Sequence, residues 1–204
     1  MAKTEKRTER AGTQATSGTA SQILDVAERL VQERGFNGFS YGDVANELGI
    51  TRAALHYHFA SKAELGDALI ERYAERFLDA LERVDGGGQD APEKLRAYAQ
   101  LYADVFRNDR MCLCGMLAAD YATLPDPMRE RVVRFFDENE VWLGRVLEDG
   151  RSAGTIRFEG SSRTVARTLI AGLEGAMLVS RPYRDVERFG GAAELLIRGL
   201  AIER

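Results

Sequence analysis

The chain has 204 residues, of which 45% are hydrophobic, and its 28 Lys and Arg against 32 Asp and Glu give a net charge of −4. This hydrophobic content excludes a fully disordered chain and allows one large core or a small domain joined to a larger one. The acidic balance argues against nonspecific coating of nucleic acid, because phosphate binding needs a local excess of cations.

Charge is unevenly distributed along the chain. Residues 1–62 carry eight Lys and Arg against seven Asp and Glu, whereas residues 63–204 carry twenty against twenty-five. The N-terminus lacks the apolar segment of a secretory signal, and no apolar run is long enough to span a bilayer. We therefore expect a soluble cytoplasmic protein with no membrane partner and with reduced thiols.

The N-terminal segment, residues 1–20, is rich in Thr, Ala, Gly and charge and cannot bury an apolar face. We expect it to be a flexible arm. From Ser21 a helical period begins, which predicts a first helix that ends at Gly35. The buried stripe of this helix consists of Ile23, Ala27, Leu30 and Val31.

Two short helices are predicted next. Ser40 with Asp43 three positions later is typical of a capped helix start, and Gly49 suits the left-handed residue that ends this second helix. A third short helix begins at Thr51 and turns Leu55 toward the core, so its other faces remain exposed.

Longer helices are predicted from there to the C-terminus. Ser61 and Glu64 indicate the start of a long fourth helix, which the glycine run at 86–88 ends. Pro92 suits the first turn of a fifth helix. Periodicity then predicts helices at about 112–121, from the "LPDP" segment to Gly150, at 162–180 and at about 185–202, with "GTIRF" as a connector.

The predicted elements define an all-α fold of about nine helices, since no alternating strand pattern is present. A three-helix unit at residues 21–66 precedes a larger helical unit at residues 67–204. The spacing of the second and third helices is that of a helix-turn-helix, with a glycine in the turn.

The segment "GITRAALHYHFASK" holds both histidines of the chain, His56 and His58, and no Asp or Glu occurs at residues 48–63. Side chains two positions apart on a helix point about 200° apart, so these histidines cannot hold one ion. No nucleophile or orienting partner is close in sequence. We therefore expect no metal, no cofactor and no enzymatic activity.

Nucleic-acid binding explains this segment better. The second helix of the motif starts with Thr51 and Arg52, where free backbone N–H groups and partial positive charge favour a phosphate. Arginine is also the side chain best suited to reading guanine in the major groove. Small residues at Ala53 and Ala54 permit close approach to the groove. The pattern predicts a third helix that contacts DNA.

The stretch "SYGDVANELGITRAALHYHFASKAEL" resembles the TetR family of bacterial repressors. The resemblance rests on Ser40, the Val44-Ala45 pair, Leu48-Gly49, and the aromatic cluster with its following Ser-Lys cap, and it extends over residues 21–69. It implies binding to a double-stranded DNA operator. The positions implied at or near the DNA are Ser40, Thr51, Arg52, Ala53, His56, Tyr57, His58 and Lys62.

Two residues depart from the family pattern. His56 stands where the family very often has tyrosine, and Gly42 stands where a longer polar or basic residue is common. A glycine inside a helix weakens it by roughly 1 kcal/mol relative to alanine. Neither departure removes the motif.

A homodimer is expected, because one helix-turn-helix contacts only about half of a palindromic operator. The last two helices are apolar on more than one face, and the resemblance implies that they form a four-helix dimer interface. A purely internal core is the alternative. The predicted interface residues are Leu169, Leu173, Met177, Leu196 and Leu200.

The resemblance also implies a cavity between the middle helices for a small apolar or aromatic inducer, whose binding releases the operator. The middle helices carry a stripe of aromatic and methionine residues, and the alternative interpretation is that this stripe is ordinary hydrophobic core. The predicted ligand-binding residues are Tyr98, Tyr102, Phe106, Cys112, Met116, Phe135, Trp142 and Glu174.

Two alternatives stay open. Cys112 or Cys114 is a possible electrophile or oxidant sensor, although no Lys, Arg or His lies between Met111 and Tyr121 to lower a thiol pKa, which favours two buried apolar cysteines. The other alternative is a helical small-molecule-binding protein without a DNA function, whose helix-turn-helix is only a structural corner.

Overall fold

The computed structural model describes the backbone of residues 2–202 and side chains from Gly18 to Ile202. This part of the chain contains nine α-helices and three 3-10 turns. The helices are α1 Ala2–Arg34, α2 Tyr41–Leu48, α3 Arg52–His58, α4 Lys62–Gly86, α5 Ala91–Phe106, α6 Leu113–Ala119, α7 Asp126–Ser152, α8 Ser162–Ser180 and α9 Val186–Arg198; the turns are η1 Phe36–Gly38, η2 Tyr121–Thr123 and η3 Arg181–Tyr183.

The all-α prediction is confirmed, with differences at several helix boundaries. The backbone of α1 is helical from Ala2 and does not start at Ser21. The side chains of residues 1–17 lie outside the described residues, so the flexible arm at residues 1–20 stays a prediction. In the part of the chain that is described, no helix is both long enough and apolar enough to cross a membrane.

The N-terminal unit packs α1, α2 and α3 around one small core. Val31 from α1, Val44 from α2 and Leu55 from α3 are fully buried. Gly49 ends α2 in the left-handed conformation at φ 65°, and its N–H donates to the carbonyl of Ala45. Glycine suits this position because few other residues adopt the left-handed conformation without strain. The tight turn that it forms sets the angle between α2 and α3.

The C-terminal body begins with α4, which packs against α1 on one side and against α5, α6 and α7 on the other. The last three long helices, α7, α8 and α9, pack in sequence order. Buried apolar residues from α4 to α9 are continuous with those of the N-terminal unit, so the two units share one core.

The end of α7 was predicted at Gly150, but the helix continues to Ser152. Gly150 is buried at a close packing point, where an added Cβ would lie 2.5 Å from the Cβ of Ala91. Here the glycine serves close approach between helices and does not end the helix.

The C-terminal segment also differs from its prediction, because α9 ends at Arg198 rather than at Ile202. The residues after α9 pair with the "GTIRF" connector through an isolated antiparallel bridge between Ile156 and Ala201. The N–H of Arg157 donates to the carbonyl of Leu200 at 2.8 Å. This bridge fixes the connector against the end of the chain.

The two glycines of α7 provide a matched test of this packing. Gly150→Ala should lower the free energy of unfolding by about 1–3 kcal/mol, because the new methyl group overlaps Ala91. Gly144→Ala is the control, since its nearest neighbour would be the Ser162 hydroxyl at 4.0 Å, and it should stabilise α7 by up to about 1 kcal/mol. Urea unfolding measures both; equal effects of the two variants would contradict the close packing.

Candidate functional site

The exposed face of α3 is the first part of the candidate site. Leu55 is fully buried and holds α3 against the N-terminal core, whereas Tyr57 is 79% exposed. The Thr51 hydroxyl caps the helix by accepting the N–H of Ala54 at 3.1 Å. Arg52, Ala53 and His56 are exposed with Tyr57. The structure therefore brings six of the eight predicted DNA-binding residues, including the half-buried His58, onto α3 and its cap.

Ser40 lies at the start of α2, as the N-cap of a complete capping box. Its N–H donates to the Asp43 carboxylate at 2.6 Å, and Asp43 N–H donates back to its hydroxyl at 3.3 Å. The Ser40 hydroxyl also donates to the Asp43 carboxylate at 2.7 Å. This bond, followed by the one from the Ser40 N–H, is the main reason that the pKa of Asp43 lies below its ordinary value, with the charges of Arg34 and Arg52 adding to the effect. The Asp43 carboxylate, which lies near Arg52, is thereby tied to the start of its own helix.

Gly42 has a physical role that the sequence did not reveal. A Cβ on this residue would lie 2.6 Å from Nη2 of Arg52, so the guanidinium rests directly on the backbone of α2. The departure from the family pattern at residue 42 thus makes room for the arginine predicted to read bases. No signal in the sequence alone connects these two positions.

His56 is the other residue that departs from the family pattern, and its ring makes two contacts. Its Nδ1 lies 3.2 Å from the carbonyl oxygen of Ala60, and its ring lies 4.8 Å from the ring of Tyr41. Tyr41 in turn donates its hydroxyl to the carbonyl of Phe59 at 2.9 Å. His58 is half-buried, with its ring against that of Tyr57 at 5.3 Å.

Lys62 is placed differently from its prediction as a phosphate contact. Its ammonium donates to the carbonyls of Phe36 and Phe39, at 2.6 Å for Phe39, and lies over both phenylalanine rings. Partial burial lowers its pKa, and the charges of Asp120 and Asp43 oppose this shift. Since its N–H groups are engaged inside the chain, Lys62 connects α4 to η1.

Three residues of the C-terminal body form hydrogen bonds with the end of α1 and with η1, close to Lys62. The carboxylate of Asp120, at the end of α6, accepts the N–H of Phe36 at 2.7 Å. Arg181, which follows α8, donates to the carbonyl of Glu33. The N–H of Met111 donates to the carbonyl of Gln32 at 3.2 Å. Residues that follow α6 and α8 are thereby bonded to the end of α1 and to η1.

The aromatic residues predicted to bind a ligand form a packed cluster between α4, α5 and α7. The Tyr98 and Trp142 rings stack at 5.7 Å, and the Tyr98 hydroxyl donates to Asn139 Oδ1 at 2.9 Å. Tyr102 and Phe135 both contact the ring of Phe77. The structure brings these four predicted residues together, but their side chains fill the space between the helices.

The other four predicted ligand residues are not part of these ring contacts, although Cys112 reaches the cluster through Tyr73, whose ring contacts Phe135. Phe106 packs on Phe189 of α9 at 6.1 Å, and the Met116 sulfur accepts from Arg181 at 3.6 Å. Cys112 is buried, and its sulfur accepts a hydrogen bond from the Tyr73 hydroxyl at 3.7 Å. It also lies beside Glu174. The prediction therefore combined the ring cluster with residues that border it and with residues that contact Phe189 and Arg181.

Glu174 is the most unusual group in this region. Its Oε1 is buried and has no hydrogen-bond partner in the described chain. A Cβ at residue 115 would lie 2.2 Å from its Oε2, so only glycine at this position of α6 leaves room for the carboxylate. Burial raises the pKa of Glu174 to about 7, with the Cys112 thiol opposing this shift. Burial likewise raises the pKa of Cys112 and Cys114, and the charge of Glu174 adds to both shifts.

The predicted dimer residues need correction. Leu169, Leu173 and Met177 face the core of their own chain and are buried, so they are not available to a partner. Leu196 is half-buried and packs on Gly172 of α8, and Leu200 is half-buried beside the C-terminal bridge. The apolar side chains that α8 and α9 do expose are Leu178, Val179 and Leu195.

A short helix with an exposed face, joined through a tight turn to a second helix and attached to a larger helical body, is the arrangement of a DNA-binding regulator. Sequence comparison supports this class. A profile described as "Bacterial regulatory proteins, tetR family" matches residues 23–69, and one described as "Tetracyclin repressor-like, C-terminal domain" matches residues 91–196.

Solved structures and characterised proteins agree with these profiles. A TetR-family transcriptional regulator from Agrobacterium tumefaciens is 29% identical and superposes with a TM-score of 0.88, covering 92% of this chain and 100% of its own. A TetR transcriptional regulator from Legionella pneumophila is 31% identical, with a TM-score of 0.81 and coverage of 88% and 95%. The "HTH-type transcriptional repressor DhaR" of Mycobacterium sp. (strain GP1) is 22% identical over 85% of this chain and 87% of its own.

The chain belongs to the TetR family of bacterial transcriptional regulators. Its helix-turn-helix is therefore a DNA-binding motif, and the resemblance found in the sequence is confirmed.

The buried carboxyl of Glu174 leads to a pH-dependent prediction. Between pH 4.5 and about 7 the unfolded chain ionises this group while the folded chain keeps it protonated, so its contribution to stability falls as pH rises through this range. Glu174→Gln should therefore raise the free energy of unfolding, by up to about 3 kcal/mol above pH 7, with the gain shrinking toward zero near pH 4.5.

Urea unfolding of the wild type and variant across this pH range measures the effect. Glu82→Gln is the matched control, because Glu82 is exposed on α4 and should change stability little at any pH. A gain for Glu174→Gln that is the same at both ends of the range would show that the carboxyl is not held in its neutral form.

Proposed function

We propose that this regulator is a repressor that binds a palindromic operator as a homodimer and is released by a small-molecule inducer. The observation that carries this proposal is the face of α3, where Arg52 and the largely exposed Tyr57 stand with no acidic side chain between residues 48 and 63. A repressor function is supported by the similarity to the transcriptional repressor DhaR from Mycobacterium.

In the proposed complex, α3 lies in the major groove. Thr51 at its N-terminus meets a phosphate, where the helix dipole favours negative charge. Arg52 leaves its resting place on Gly42 and reaches base edges, while Tyr57 and His58 contact the DNA backbone. Ser40 is exposed at the start of α2 and lies at the edge of this contact surface. We leave Lys62 out of this contact set because its ammonium is used inside the chain.

The proposed dimer uses the outer surfaces of α8 and α9. Leu195 is 74% exposed and Leu178 is 59% exposed, and exposed apolar side chains on neighbouring helices are typical of a protein interface. Gly175 has no atom near its absent Cβ, so a partner helix can approach α8 closely there. A two-fold dimer of this kind would place two α3 helices on half-sites about 34–36 Å apart.

The thiol-sensor alternative is less well supported. A reactive cysteine requires a thiolate in an accessible, electropositive setting, but Cys112 and Cys114 are both buried and their pKa values are raised. The neighbouring carboxyl of Glu174 makes ionisation of either thiol harder. A small-molecule inducer is therefore the better proposal.

The assignment of Arg52 is tested by measuring DNA affinity. Arg52→Ala should reduce affinity for a duplex selected from a random pool by about 10- to 100-fold, because one arginine contact to guanine contributes about 1–3 kcal/mol of discrimination. Affinity for a scrambled duplex should change far less. Arg83→Ala, an exposed arginine of α4, is the control. Equal binding of the selected duplex by wild type and Arg52→Ala would refute base reading by this residue.

The dimer surface is tested by charge insertion. Leu195→Glu should shift the chain from dimer to monomer in sedimentation equilibrium and lower DNA affinity, because the two half-sites would no longer be bound by one particle. Val133→Glu, at an exposed valine of α7, should leave the oligomeric state unchanged. The α8–α9 interface would be wrong if Leu195→Glu remained dimeric at the same protein concentration.

A further inference from the structure

A cleft of about 370 Å³ opens between α1, α4 and α5, and we call it the α1–α5 cleft. Its walls are largely apolar, with Phe77 from α4 and Leu101 and Val105 from α5. Tyr73 is buried at its inner end, and Gln32 of α1 is 2% exposed beside it. A concave, mostly apolar site of this size, with a few polar groups, is the general form of a small-molecule site.

The charges around the cleft leave one cation without a partner. Glu28 is paired with Arg76, and with Arg72 at 3.0 Å, where Arg72 also pairs with Asp25. These two arginines and two acids neutralise one another.

The remaining carboxylate at the cleft is Asp104, which accepts from Gln100 at 2.6 Å and pairs with Arg107. Arg110 also lines the cleft and is half-buried, but it has no hydrogen bond or ion pair within the described residues. A half-buried guanidinium with no protein partner favours an anionic one, because charge-assisted bonds to carboxylates are strong and bidentate.

The cleft differs from the pocket that the sequence predicted. None of the eight predicted ligand residues is among those lining it. The two regions meet at Phe77, whose ring contacts Tyr102 and Phe135. They also meet at Tyr73, whose ring lies 5.7 Å from that of Phe135 and whose hydroxyl donates to Cys112. An occupant of the cleft would therefore press on the edge of the packed aromatic cluster without needing to open it.

We propose that the α1–α5 cleft binds a small amphipathic carboxylate, with its apolar part against Phe77, Leu101 and Val105 and its carboxylate on Arg110. This inference rests on the proposed function for its regulatory consequence. One wall belongs to α1 of the DNA-binding unit and the others to α4 and α5. A ligand that prefers a wider cleft therefore favours a different angle between these units and lowers operator affinity by its differential affinity for the two conformations.

Octanoate is the probe for the ligand chemistry, with octylamine and octanol as matched molecules of opposite and zero charge. Isothermal titration calorimetry of the wild type should show saturable binding of octanoate and binding at least tenfold weaker for the other two. Absence of saturable octanoate binding, or equal binding of octylamine, would overturn the assignment.

Variants locate the binding site. Arg110→Gln should weaken octanoate binding at least tenfold, whereas Arg83→Gln should leave it unchanged. Ala80→Trp fills the cleft from α4 and should abolish binding, and thermal unfolding verifies that each variant is folded. Octanoate binding that survives both Arg110→Gln and Ala80→Trp would place the site elsewhere.

A gel shift with the selected duplex separates this inference from the proposed function. Octanoate should release DNA from the wild type and not from folded Arg110→Gln. Octanoate binding without any DNA binding would refute the proposed function and leave the site intact. DNA binding without octanoate binding would refute the site alone, and simultaneous binding of both without mutual effect would refute the regulatory role of the cleft.

Discussion

The position of the DNA-binding unit depends on how one short turn, η1, is held between opposite charges. The Asp120 carboxylate accepts the N–H of Phe36 at its start, while the Lys62 ammonium donates to the carbonyls of Phe36 and Phe39. Charge-assisted hydrogen bonds of this kind are stronger than neutral ones and are directional. Lys62 belongs to α4 and Asp120 follows α6, so the turn before α2 is fixed by two different helices of the C-terminal body. The turn that leads into the DNA-binding helices is therefore bonded to both α4 and the end of α6.

The C-terminal body has a packed aromatic centre. On each side of this centre lies a region with a polar atom that has no partner within the described residues. Tyr98, Trp142 and Phe135 fill the centre and give the helices a fixed spacing. On the α6–α8 side, Glu174 has a buried oxygen without a partner, which is costly in a low-dielectric interior. On the α1 side, Arg110 faces an open cleft.

Local chemistry explains why the DNA-binding unit was predictable and the rest was less so. Gly49, Leu55 and the Ser61 cap act through neighbours within a few residues, so their spacing predicted α2, α3 and the start of α4. Periodicity also showed that α8 is apolar on two faces, but not which face turns inward, and Leu169, Leu173 and Met177 were assigned to the wrong one. The contact of Gly42 with Arg52 and the inward turn of Lys62 are tertiary, and no local pattern encodes them.

The central claim is that the exposed side of α3 is the surface that meets DNA, and amide hydrogen exchange of the chain with and without a selected duplex measures this most directly. The account predicts slower exchange in α3, at the start of α2 and at the start of α4, with smaller changes along α1. Slowed exchange confined to α7, α8 and α9, with α3 unchanged on saturation by the duplex, would contradict it.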